Sequence, residues 1–495
     1  MFGLDIRGLG GTVRRKNGSE EDMFYHLIYY NLQEDTVILF ANNSLMEPGD
    51  TVIPHIEYSA GFNFNVYNGY GLWKQPCTGT QDPGAKQCWF TQFEPSGARQ
   101  MFPCFDEPGG KAVFDVRVAR TEGWRTLFNT PVNYTEPVEG RPGWVWDVFL
   151  TTPRMSTYTM ALAIQDFKSV TADERMKIWA PAEYIDAGFA DYAALVGPQC
   201  VAITEQLYGV NYTLGKMDMV QVNDYGTAME NWGLILYQFE WLLYDSSLPD
   251  PEDDRKHDVL ETVAHELAHQ WFGNLVTLDW WDQMWLNEGF ATYVSHVVAD
   301  TVEPAIHSWD RFLAYKMLWV MRLDSRQSSW ALSNPVSSTG DIERKFGDIS
   351  YYKGGAVIRM MESFLGRDTL NKALHRYLVD LSFQNSVEED LFLHLEAAGL
   401  EDGVWPQAGV EDLTSIMKSW TQQAGLPLVT VTRLSDSRLE VRQAHYQNNN
   451  TASSDRTWPI PLTWADLHSE NIHWDQTSPD LWLVDTVAEV GLIII

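Results

Sequence analysis

The hydrophobic period of this chain changes twice along its length, and that constrains the fold more than any single motif does. From about residue 23 to 168 apolar and polar residues alternate in β-branched runs such as FYHLIYYNL, TVILFANN, AVFDVRVAR and STYTMALAIQDF, separated by Gly, Pro and Asn. Period two with turn residues between the runs is the mark of half-buried strands. From about 196 the spacing becomes helical, in QCVAITEQLYG, DVLETVAHELAHQWFGNL, EGFATYVSHVVADTV, DRFLAYKMLWVMRL and GGAVIRMMESFLG, with a short strand segment, MDMVQVND, near the start. After MKSWTQQAGLP the alternation returns in LVTVTRL, RLEVRQAHY and IPLTWADL. This order predicts a multidomain α+β chain: a β-rich domain over 1–167, a mixed helix-rich domain over 168–425 and a small β domain over 426–495. With 495 residues the chain exceeds one compact core, and roughly two to four domains are expected.

Acidic residues outnumber basic ones 67 to 35, a formal charge of −32, so a phosphate backbone would be repelled across most of the surface and nucleic acid is excluded as a partner. Hydrophobic residues at 45% and charged residues at 21% fit a globular protein rather than a disordered chain or a membrane bundle. Cys77 and Cys88 flank the turn-rich CTGTQDPGAKQC, whose Gly and Pro can bring the two thiols together as a disulfide. Cys104, in FPCFDEPGG, is expected to pack as a small buried hydrophobe. Five N-x-S/T sequons begin at Asn17, Asn42, Asn133, Asn211 and Asn449, which together with that disulfide point to the secretory pathway and a cell-surface or extracellular setting. The N-terminal MFGLDIRGLGGTVRRKNGSEED holds no apolar run of signal-peptide length, and no stretch approaches the roughly eighteen residues of a membrane span.

The residues that carry chemistry are in VAHELAHQWFGNL. His265 and His269 lie four apart, about 40° of rotation on a helix, so both imidazoles leave one face a turn apart and can share an ion. Glu266 sits beside the first of them, where a carboxylate can serve as base to a metal-activated water. The motif alone leaves open a helix with two ordinary hydrogen-bonded histidines. Glu288, in DWWDQMWLNEGFATYVSH, supplies the third ligand that decides between these readings. Two His and one Glu with one open position is a catalytic zinc set, and neutral imidazoles with a carboxylate suit zinc better than calcium or magnesium.

These segments resemble the gluzincin aminopeptidases of the aminopeptidase N type. VAHELAHQWFGNLVTLDWWDQMWLNEGFATY carries the zinc motif, and four further stretches agree in order and spacing: TQFEPSGARQMFPCFDEPGGKAVFDV, TTPRMSTYTMALAIQDF, TAMENWGLILY and ISYYKGGAVIRMMESFLG. The resemblance implies an N-terminal β-sheet domain, a thermolysin-like α/β zinc peptidase domain and a small C-terminal β-sandwich. It implies one zinc ion on His265, His269 and Glu288, Glu266 as general base, and Tyr351 as the donor that stabilises the tetrahedral intermediate. Glu230 in TAMEN would anchor the free amine of a peptide substrate, with Gln92 in TQFEP as a second contact and Ala228 and Met229 lining the cleft beside the scissile bond. The activity so implied is removal of single, neutral residues from peptide amino termini.

The sequence departs from the family pattern in several places, among them NYTLGKMD, which lacks two prolines common in the family. Thr227 stands where a glycine is usual, and Ser295 where a glutamate is usual. The large helical domain that normally follows the β-sandwich is missing, so the resemblance is to a truncated member, any homodimer forming through that missing domain. These departures motivate a second reading, a catalytically weak cell-surface receptor on the same fold. A third, a thermolysin-like endopeptidase, is opposed by Glu230, which would block an upstream peptide.

Overall fold

A computed structural model describes residues 5–23, 25–31, 36–41, 46–61, 70–78, 85–223, 226–250, 254–407, 409–410, 412–435, 438–448, 456–463, 481–484 and 487–491. The described strands before residue 166 form antiparallel sheets. Strands Asp5–Arg14, Glu20–Met23 and Thr51–Ser59 make one, and Gly71–Pro76, Gln87–Gln92, Leu162–Gln165 and Arg125–Phe128 make another. In the second the alternation read from sequence is literal, since Gly71–Pro76 has every other residue buried and the intervening ones half-exposed. Cys77 and Cys88 are disulfide-bonded at the loop end of its first hairpin. Cys104 is only partly buried, because its loop runs along the surface, with the adjacent Phe105 86% exposed.

The sheet that organises the middle of the chain is mixed. Strand Met217–Val222 is parallel both to Met176–Ala180 and to Leu234–Gln238, and the two-residue strand Ala228–Met229 pairs antiparallel with the latter as an edge. Helix α1, Asp191–Tyr208, packs on this sheet and ends at Gly209, whose φ of 61° is the left-handed conformation that closes a helix with least strain. Helix α2, Asp254–Ala268, buries Val259, Leu260, Val263, Ala264 and Leu267. That face packs on helix α3, Trp285–Val302, which is buried from Trp285 through Ala299. Burial of α3 on every side makes it the hub of the main core rather than a surface helix, and its buried polar residues include Glu288. Helix α4, Gly354–Leu365, crosses α3 and brings in the preceding ISYYK turn.

Strands Leu426–Ser435, Arg438–Tyr446 and Val487–Gly491 form an antiparallel sheet, and Ile460–Leu462 pairs with Leu481–Leu483. Their small core of Val441, Trp458, Ile460 and Leu483 is tied to the helical part through Trp482, whose indole donates to Gln407 Oε1 at 2.6 Å. Lys353 adds a buried bracket, pairing with Asp324 at 2.7 Å and donating to the Gly425 carbonyl at 3.1 Å. Among the described residues no helix is long and apolar enough to cross a membrane.

Candidate metal centre and peptide cleft

Helix α2 delivers His265 and Glu266, the turn that directly continues it delivers His269, and the first turn of α3 delivers Glu288. The three ligand atoms converge. His265 Nε2 lies 3.1 Å from His269 Nε2, and each lies 3.2 Å from Glu288 Oε2. A tetrahedral zinc with bonds of about 2.0–2.1 Å holds its ligands roughly 3.3 Å apart, so the triangle already has the right size. Orientation is fixed from outside as well. His269 Nδ1 lies 3.0 Å from the Phe272 carbonyl, so a proton on Nδ1 donates there and Nε2 is left free for a metal.

Three buried carboxylates, Glu94, Glu230 and Glu266, surround this triangle, whose own Glu288 is buried as well. Although burial opposes it, His269 and His265 pull the Glu288 carboxyl down to about 2, so it stands ready as an anionic ligand. Burial and the charge of Glu230 push Glu266 and Glu94 well above the usual carboxylate range. Among the described residues, Glu94 Oε1, Glu230 Oε1 and Glu266 Oε2 have no hydrogen-bond partner. Carboxylates buried this close together give up their protons only when cations join the two histidines beside them, and a metal ion and a ligand ammonium are the two that the geometry admits.

The edge strand Ala228–Met229 carries Glu230 to His269, with Glu230 Oε1 3.9 Å from His269 Nδ1. Gln270 and Asn274, just beyond α2, hold the strand by donating to the Glu230 carbonyl at 3.1 and 2.9 Å. Gln92 lies across from it, its amide reaching the Glu94 carbonyl at 3.1 Å and Met229 Sδ at 3.7 Å. Glu94, which was not singled out from sequence, offers an oxygen within 4.8 Å of oxygens on Glu230 and Glu288. The available signal was proximity in sequence, since Glu94 follows Gln92 by two residues where the strand Gln87–Gln92 runs into a turn, and both line the cleft.

Tyr351 sits in a widened, π-type turn, Ile349–Lys353, that rotates its side chain toward the ligands. Its ring stacks on His265 with centroids 5.9 Å apart and planes 6° from parallel. Burial first, then Glu288 and its neighbouring carboxylates, hold the phenol well above its ordinary pKa, so it keeps its proton as a donor. The backbones of Gly289 and Gly354 make this meeting possible. A Cβ on Gly289 would stand 2.9 Å from Gly354 Cα, so neither position has room for a side chain. Gly289→Ala is expected to wedge Tyr351 away from Glu288 and to destabilise the fold by about 1–3 kcal/mol, the cost of overpacking. Thermal unfolding checks this, and an unchanged melting temperature with full activity would contradict the close approach.

Of the family departures, Thr227 is exposed and lines the cleft with Ala228 and Met229. Ser295 is fully buried, and its hydroxyl donates to the Thr292 carbonyl of its own helix at 2.8 Å, where it orients no metal ligand. The cleft around these groups has a volume of about 920 Å³.

Residues 192–420 match the Peptidase family M1 domain, and residues 11–159 match the Peptidase M1 N-terminal domain. The chain belongs to peptidase family M1. Peptidases of family M1 are zinc enzymes, in keeping with the His265, His269 and Glu288 group. Among curated M1 relatives, the chain is 37% identical to aminopeptidase Ey of Gallus gallus over 413 residues, covering 80% of this chain and 41% of the relative. It is 34% identical to endoplasmic reticulum aminopeptidase 1 of Homo sapiens over 490 residues, covering 93% of this chain and 50% of the relative. It is 35% identical to aminopeptidase N of Rattus norvegicus over 428 residues, covering 81% and 43%. The chain thus spans about half or less of the length of these M1 relatives.

Proposed function

We propose that the protein is a zinc-dependent aminopeptidase that releases single, neutral amino acids from the free amino termini of peptides. The observation that carries this reading is the pair of unpartnered buried carboxylates, Glu94 and Glu230, beside the convergent His265, His269 and Glu288 triangle. The names of the M1 relatives support it. On the same reading 168–425 is a thermolysin-like catalytic domain, and the strands from 426 onward belong to a β-sandwich. The sequon residues Asn17, Asn133 and Asn211 are exposed and open to glycosylation, in keeping with the secretory pathway, while Asn42 and Asn449 lie outside the described residues. The complete constellation favours catalysis over a receptor that only binds.

One zinc ion held by His265, His269 and Glu288 would act as a Lewis acid, polarising the scissile carbonyl and acidifying the attacking water. Glu266 takes the proton from that water through Oε2 and passes it to the leaving amine. Tyr351 donates its phenolic hydrogen to the negative charge developing on the carbonyl oxygen. Glu230 and Glu94 bind the substrate ammonium by charge-assisted hydrogen bonds, with Gln92 as the adjoining amide contact. Because these carboxylates adjoin the ligand triangle, they leave room for one residue ahead of the cut. Ala228 and Met229 bring no charge to the wall beside that residue, which suits a neutral first side chain.

Glu230→Ala is expected to raise KM for an alanyl substrate by about 10- to 100-fold, the worth of a hydrogen bond to a charged group, with zinc content unchanged. A free peptide should lose one residue at a time and its N-acetylated form should resist. Internal cleavage of the acetylated peptide would replace this reading with an endopeptidase.

A further inference from the structure

Helix α2 measures out the cleft. His269 faces Glu230, His265 comes one turn earlier, and Glu261 and Asp258 lie beyond it toward the helix start. At about 1.5 Å per residue, Glu261 is roughly 12 Å along the axis from His269. A peptide with its ammonium at Glu230 and its first carbonyl at the ligand triangle sends its second side chain toward this far end. There Lys316 pairs with Glu261, and its Nζ lies 5.3 Å from the centroid of the Tyr352 ring, next in sequence to Tyr351. Asp348 accepts from the Trp319 indole at 2.8 Å. Asp258, Glu261, Asp348 and Lys316 all line the cleft, and Lys316 is the only lysine or arginine among its described lining residues. The far end therefore holds three carboxylates against one ammonium.

We propose that this end of the cleft reads the residue after the cleaved bond and favours lysine or arginine there, with Asp258, Glu261 and Asp348 as counter-charges. Lys316 moderates the preference by neutralising Glu261. The inference rests on the aminopeptidase reading above and names the second residue of its substrates. An entering guanidinium can take bidentate contacts from carboxylates, whereas an acidic side chain meets net like charge.

The test compares kcat/KM for Ala-Arg-Gly-Gly and Ala-Glu-Gly-Gly, with an alanyl anilide as a substrate whose leaving group is uncharged. The wild-type ratio of Arg to Glu peptide is expected to be about tenfold, to rise several-fold in Lys316→Ala, and to fall to about one or below in the Asp258→Asn, Glu261→Gln double variant. Asp348→Asn, away from α2, should lower the ratio without disturbing the helix that carries the histidines. With the anilide still turned over, a wild-type ratio near one, or the same ratio in all four proteins, overturns the proposal alone. No turnover of the anilide by the wild type overturns the aminopeptidase reading, and this inference with it.

Discussion

Glu266→Gln is expected to lower kcat for an alanyl substrate by about 10²- to 10⁴-fold, the range contributed by a positioned general base. The amide has the shape of the carboxylate and cannot accept the proton. Glu266 is buried beside the triangle with Oε2 unpartnered, and it is not one of the three groups whose atoms converge at 3.1–3.2 Å. Zinc content should therefore stay at the wild-type level, and KM should change little because the ammonium site at Glu230 and Glu94 is intact. Steady-state rates and elemental analysis on one preparation separate the two effects. Comparable hydrolysis by the glutamine variant would sink the assignment of Glu266 as base, and loss of zinc would make it a structural support of the ligands instead.

Tyr351→Phe should cost about 10²- to 10³-fold in kcat, as removal of one donor to a developing oxyanion does, with KM nearly constant. Phenylalanine retains the ring that stacks on His265, so the variant isolates the hydroxyl. The phenol is pushed up by burial and by Glu288, so at neutral pH the wild type presents a proton and not a phenolate. If the phenylalanine variant turns over within about threefold of wild type, the hydroxyl takes no part in the transition state, and the ring serves only to brace His265.

Much of this was legible because it is local. The two changes of period in the sequence correspond to antiparallel sheets before residue 166, the helices around α3, and strands again after 426. Residues that share a helix turn were placed together by spacing alone, as with His265 and His269. What the sequence left open are relations between distant segments. Glu230 read on its own is an ordinary surface glutamate, yet it is 3% exposed, because an edge strand pinned by Gln270 and Asn274 presses it against α2. Glu94 lies in a motif whose glutamine was noticed and whose glutamate was not. The pairing of Lys316 with Glu261, 55 positions apart, has no local signature. Nor does the backbone contact of Gly289 with Gly354, since a glycine in a helix gives no sign of which other backbone it meets. Ser295 shows the opposite case: the substitution is plain in sequence, but only the fold shows its hydroxyl bonded within α3.

The central claim is that His265, His269 and Glu288 form one metal centre. Elemental analysis of the purified protein tests it most directly, read alongside a Glu288→Ala variant whose folding is confirmed by circular dichroism. The wild type should carry one zinc per chain, and the variant less than about a tenth of that, because two imidazoles alone leave the catalytic set one ligand short. Zinc retained in full by the folded Glu288→Ala protein, or none bound by a wild type offered zinc in excess, would contradict it.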